Sequence, residues 1–123
     1  MINKNKDSTR YYSNKQEEYI SKLLSCHRQS NSGSGNFNKG DLINKDASLL
    51  VECKTNKTNK DSFSIKKEWL DKNKEEAFSQ GLDNHCLAFN FNNEGKENYF
   101  IINEKLMQFL MEKLEEDNAR INR

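Results

Sequence analysis

The chain has 123 residues and a net charge of +1, with charged residues at 32% and apolar residues at 33%, enough for one domain with a modest core. No run reaches the roughly 18 apolar residues of a membrane-spanning helix, and the polar start from Met1 to Arg10 lacks the apolar core of a signal peptide, so a cytoplasmic protein with no membrane partner is expected. Cys26, Cys53 and Cys86 are odd in number and lack CxxC spacing, which argues against disulfides and a zinc site.

Residues 1–10 read as a flexible tail, and residues 11–123 as a single domain. A helix is predicted from about Ser13 to Leu24, with Tyr12, Tyr19, Ile20, Leu23 and Leu24 as an apolar stripe. Ser30 to Asn36 is a loop by composition. Two strands follow, Asp41 to Asn44 and Ser48 to Thr55, with Asn44-Lys45-Asp46-Ala47 as the hairpin connection. Alternation along the second strand puts Leu49, Val51 and Cys53 on one face and Leu50, Glu52 and Lys54 on the other.

Thr55 to Asp61 is a loop rich in lysine and asparagine. Ser62 or Ser64 is the expected cap of a second helix starting near Ile65, with Ile65, Trp69, Leu70, Asn73, Ala77 and Phe78 facing inward and Gly81 ending it. His85 to Phe91 and Asn98 to Ile102 are strands joined by an Asn-Asn-Glu-Gly turn. Asn103 caps a last amphipathic helix whose stripe of Leu106, Phe109, Leu110 and Leu114, widened by Met107 and Met111, is expected in the core, with a dimer contact as the alternative. The order of elements predicts an α/β sandwich with a small mixed β-sheet flanked by helices.

Charge is unevenly spread. Residues 1–28 carry six basic and three acidic groups, residues 54–74 seven lysines against three acids, and residues 94–117 seven acids against three lysines. A basic front and an acidic back suit a polyanion-binding face, though a solvated lysine-rich surface has the same composition.

The chemistry concentrates at Asp41, which opens one apolar run, and at Glu52-Cys53-Lys54 within the next. Charged groups on short apolar strands are costly unless used. Carboxylates hold hard ions such as Mg²⁺. Asp41 and Glu52 come from adjacent strand segments, so their carboxylates can converge on one ion. The Cys53 backbone carbonyl can add an oxygen, and Lys54 can orient the attacking water or stabilise developing negative charge. A second Glu-x-Lys, Glu94-Gly95-Lys96, lies in a polar turn without a preceding aspartate strand and reads as surface. His27 and His85 have no local metal-ligand partner.

Ser32-Gly33-Ser34, Gly40-Asp41-Leu42 and Val51-Glu52-Cys53-Lys54 together resemble the PD-(D/E)XK nuclease superfamily, and within it the archaeal-type and phage Holliday-junction resolvases. The likeness runs roughly from Glu17 to Phe91. It implies a restriction-endonuclease-like sandwich and a Mg²⁺-dependent endonuclease, with Mn²⁺ as a substitute. It further implies branched DNA such as a four-way junction as substrate, a homodimer, and a bacterial, archaeal or phage-infected cell. By the same resemblance Glu17, favoured over Glu18, assists as a ligand of metal or water, and Ser34 approaches the scissile phosphate. Ser32, Lys57, Ser64, Lys66 and Lys67 are the further DNA-contact candidates, since Ser/Gly loops and helix N-termini offer N–H groups to phosphate. A nicking, repair or restriction-type nuclease and a non-catalytic DNA-binding module are the alternatives. The family's proline before the aspartate is replaced by Gly40.

Overall fold

The computed structural model describes residues 9–28 and 41–122. In chain order the elements are α1 (Thr9–Leu24), β1 (His27–Arg28), β2 (Asp41–Asn44), β3 (Leu49–Cys53), α2 (Lys67–Ser79), β4 (Asn84–Phe89), β5 (Tyr99–Ile101) and α3 (Glu104–Ile121). The strands form a mixed sheet in the order β1-β2-β3-β4-β5. Among the described residues only β3 and β4 pair in parallel, joined by the α2 crossover, and the other pairs are antiparallel. The α/β class is as expected. Among the described residues no helix is long and apolar enough to cross a membrane.

Strand alternation builds two cores from one sheet. Leu42, Val51, Cys53, Cys86 and Ala88 meet Ile20 of α1 and Cys26 on one face. Ile43 and Leu50 meet Ala77 of α2 on the other. The three cysteines are buried and free; burial pushes the Cys86 thiol up to about 12.

Several boundaries differ from expectation for identifiable reasons. α1 includes Thr9 and Arg10, two residues assigned to the tail, while residues 1–8 lie outside the described ones. Its buried stripe is narrower than expected, because Tyr19 and Leu23 are exposed. α2 starts at Lys67, so neither Ser62 nor Ser64 caps it; Lys66 takes the cap position without a side-chain bond. Phe63 packs on Trp69 and Phe89 at ring distances of 6.4 and 5.2 Å, which ties the preceding segment to the sheet. Phe78, expected inside, is 86% exposed. The helix ends as Gly81 predicts: at φ 72°, its N–H donates to Phe78 O at 3.1 Å and Leu82 N–H to Ala77 O at 2.8 Å, the paired bonds of a Schellman cap.

The largest correction concerns α3. Asn103 caps it, its side chain accepting from Leu106 N–H at 2.9 Å, yet no residue of the helix is buried. Met107, Phe109, Leu110, Met111 and Leu114 are 43–57% exposed. α1 packs on β2 and β3 and α2 on β3 and β4, while α3 makes few contacts with any of these elements.

Candidate active site

The β2–β3 hairpin sets the geometry. Ser48 takes φ 53°, Ser48 N–H donates to Lys45 O at 3.1 Å, and Ala47 N–H donates to the Asn44 side chain at 3.0 Å. This turn fixes the register at Asn44 opposite Leu49, and hence Asp41 directly opposite Glu52. Residues opposite each other project to the same face. The two carboxylates therefore share the α2 side of the sheet with Ile43 and Leu50.

Both acids are buried, at 5% exposure each. Among the described residues, neither Asp41 oxygen, nor Glu52 Oε2, has a well-formed hydrogen bond. Lys54 Nζ stands 3.6 Å from Glu52 Oε1 and 4.5 Å from the centre of the Trp69 ring. Burial pushes the Asp41 carboxyl up to about 9, helped by the adjacent Glu76 carboxyl and by Glu52, against the Lys54 charge. The Glu76 carboxyl adjoins Asp41 and interacts with it directly, which helps to raise it. Burial also raises Glu52, Lys54 lowers it and Glu76 raises it further.

Three buried carboxylate oxygens on one face of the sheet that lack a well-formed hydrogen bond among the described residues are a costly arrangement for a protein alone, at about 1–3 kcal/mol for each unsatisfied group. A divalent cation would satisfy them, and the all-oxygen donor set suits a hard ion. Among the described residues no three His, Cys, Asp or Glu side chains form a group that could hold a metal ion. Mg²⁺ typically takes only one or two carboxylates and completes its shell with water and substrate phosphate. The Asp41–Glu52 pair fits that requirement. The Cys53 side chain belongs to the opposite core, leaving its backbone between Glu52 and Lys54.

The remaining candidates are placed differently. Glu17 is buried, and its Oε1 pairs with Arg28 Nε at 3.1 Å. Burial raises its pKa, and Arg28 then Arg10 lower it. Glu17 and Asp41 each raise the Cys53 thiol, so both lie near that residue, but neither figures in the other's electrostatics. The structure thus brings Asp41, Glu52 and Lys54 together and holds Glu17 in a separate ion pair. Glu18 is exposed and stands 3.8 Å from Lys22. Lys67 pairs with Asp71 at 2.8 Å on the surface, a contact worth little energetically. Lys66 Nζ lies 5.8 Å from the Trp69 ring centre. Ser64 and Lys57 are exposed. Ser32, Ser34 and Gly40 lie outside the described residues.

Sequence reasoning missed two residues that shape this site. Glu76 is an acid beside Asp41; its position three residues after the buried Asn73, on the inner side of α2, was the available signal. Gln16 is fully buried. Its Nε2 donates to Lys54 O at 2.8 Å and to Asn98 Oδ1 at 3.0 Å, and Asn90 Nδ2 donates to the same Asn98 oxygen at 3.0 Å. Thr55 Oγ1 donates to Asn90 Oδ1 at 2.9 Å. This amide network pins the end of β3, and with it the lysine. A glutamine among the charged residues of a surface helix carries no periodic signal.

In comparisons with known proteins, no family model, no curated protein and no solved structure matches the chain.

Proposed function

We propose that the chain is a Mg²⁺-dependent DNA endonuclease of the PD-(D/E)XK type, with a restriction-endonuclease-like fold, that cuts branched DNA such as a four-way junction as a homodimer. The observation that carries this reading is the cross-strand pair Asp41–Glu52, with buried carboxylate oxygens that have no well-formed hydrogen bond among the described residues, beside the Lys54 ammonium. A small mixed sheet with helices on both faces supports the fold. A bound divalent ion supplies neutralisation of the phosphate and a more acidic water. Asp41 and Glu52 hold that ion. Lys54, held by Glu52, by the face of Trp69 and by Gln16 at its carbonyl, directs a positive charge toward the phosphate or orients the nucleophile.

Junction resolution needs two matched cuts, hence two copies related by symmetry. The exposed apolar stripe of α3 is a surface available for that contact. A labelled four-way junction, incubated with Mg²⁺ or Mn²⁺, is expected to yield paired nicks, and chelator is expected to abolish them. Sedimentation should return the mass of a dimer. Unpaired nicks on plain duplex from a monomer would favour a nicking, repair or restriction-type enzyme. Metal-independent binding with no turnover on any DNA would favour a binding module and sink the nuclease reading.

A further inference from the structure

Next to Lys54, five aromatic rings form a continuous row, of which only Trp69 takes part in holding the lysine. The Lys54 ammonium lies over Trp69. Trp69 meets Phe63 at 6.4 Å between ring centres, and Phe63 meets Phe89 at 5.2 Å. Phe89 meets Phe91 at 5.6 Å and Tyr99 at 5.8 Å, and Phe91 meets Tyr99 at 5.8 Å. None of the five is fully buried, and Tyr99, at the open end on the β5 edge, is 57% exposed. Had these rings served only as a second core, α2 and the β4–β5 turn would be expected to seal them. The row is instead a partly covered apolar shelf, four rings half-buried and Tyr99 exposed at its end, that begins at the proposed catalytic lysine.

The shelf is bordered by positive charge. The segment 54–67 carries five lysines against a single aspartate. Its backbone is tied to the far end of the shelf: Lys60 N–H donates to Phe91 O at 2.7 Å, and Asn93 Nδ2 donates to Lys57 O at 2.8 Å. Glu94 and Glu97 lie in the β4–β5 turn beyond, so the cationic border is the β3–α2 loop. Aromatic faces beside a basic track are the combination that holds single strands: bases stack on rings and phosphates follow the lysines. Duplex DNA keeps its bases stacked on one another and offers a shelf of this kind nothing to stack.

We infer that the row from Trp69 to Tyr99 is a stacking platform for unpaired nucleotides, and that the strand at the site enters over it beside Lys54. This makes DNA with an unpaired stretch next to the scissile phosphate the preferred substrate. The placement relative to the cut rests on the nuclease reading; the stacking itself does not.

The test is made in chelator, so that no cleavage intervenes. A labelled oligothymidylate of about 12 nucleotides, within the span such surfaces cover, is compared with a duplex of equal length. Tyr99→Ala is expected to weaken oligothymidylate binding about tenfold, within the range for losing one stacked base, and to leave duplex binding unchanged. Tyr99→Phe should keep the affinity, and Phe78→Ala, an exposed ring at the other end of α2, should have no effect. In the unaltered protein Trp69, the single tryptophan, should be quenched by the oligothymidylate more than by the duplex. Equal affinity of Tyr99→Ala and the parent, or a Trp69 emission indifferent to the single strand, would overturn the platform. If the platform fails in this way while Mg²⁺-dependent cutting persists, the nuclease reading stands alone. If binding depends on Tyr99 but no DNA is cut with Mg²⁺, the platform stands and the nuclease reading falls.

Discussion

Asp41→Asn is expected to do two opposite things: lower metal-dependent cleavage by roughly 10³-fold, the equivalent of about 4 kcal/mol of transition-state stabilisation, and raise the stability of the metal-free protein. The loss of activity follows from removing one of the two carboxylates that face each other across β2 and β3. An amide is a poorer ligand for a hard cation and cannot neutralise it. The gain in stability follows from the same burial. Asp41 is 5% exposed and, among the described residues, neither of its oxygens has a well-formed hydrogen bond, while the adjacent Glu76 and then Glu52 carboxyls raise the cost of charging it further. A neutral amide of the same shape removes that cost, by about 1–3 kcal/mol.

The sign of the pH dependence follows from linkage. The folded carboxyl titrates at about 9 against an ordinary 3.8. Between those values the folded state holds a proton that the unfolded state has lost, so this residue's contribution falls as pH rises. The stability advantage of Asp41→Asn should therefore be small near pH 4 and grow toward pH 9. Melting curves in chelator across that range check the stability, and a cleavage time course with Mg²⁺ checks the activity. An Asp41→Asn protein that cuts normally would remove the metal site. One that melts lower than the parent at every pH would show the carboxylate to be structurally satisfied. A site residue that weakens the apo fold is the pattern expected where function overrides local stability.

The part of this site that was legible in the sequence is the part set by short-range geometry. The hairpin residues between Asn44 and Ser48, together with strand alternation, suffice to put Glu52 and Lys54 on one face and Asp41 within reach of them. The Asn103 cap and the Gly81 stop depend on the residue and its immediate neighbours, and both are where the sequence places them. What required long-range packing was not legible. The α3 stripe has the periodicity of a core helix, but periodicity records an apolar face and not the presence of a partner, and α3 buries none of its residues. Glu17 illustrates the same gap. Its helical position was readable, but its pairing with Arg28 depends on where β1 runs. Gln16 and Asn98 are 82 residues apart in sequence, and no local pattern joins them.

That long-range contact makes Gly95→Ala the substitution with the largest expected cost to the fold. Glu94-Gly95-Lys96 looks like surface in sequence, and Glu94 and Lys96 are indeed exposed, but Gly95 is buried. Its φ is +80°, a region that side chains rarely tolerate. A Cβ there would stand 2.9 Å from Gln16 N and Lys15 C and 3.0 Å from Lys15 O. These are backbone atoms of α1, so relief requires the helix itself to move. Strain and overpacking together should cost about 2–5 kcal/mol, a fall in melting temperature of roughly 10 °C or more. Gly81 provides the control. Its φ is +72°, but a Cβ there meets nothing within 4 Å, so Gly81→Ala should show the conformational cost alone, about 1 kcal/mol. If Gly95→Ala melts no lower than Gly81→Ala, the close approach of the β4–β5 turn to α1 is wrong. The consequence for the site is specific. Asn98 Nδ2 donates to Gly95 O at 2.9 Å, and Asn98 Oδ1 accepts from the same Gln16 amide that holds the Lys54 carbonyl. Pushing α1 away from the turn pulls Gln16 off the end of β3. Cleavage by the folded fraction of Gly95→Ala should therefore drop as well, with DNA affinity less affected, because the displaced group is the lysine and not the lysine-rich loop. Glycine at this turn is thus a condition for holding Lys54 beside Glu52, although it touches neither side chain.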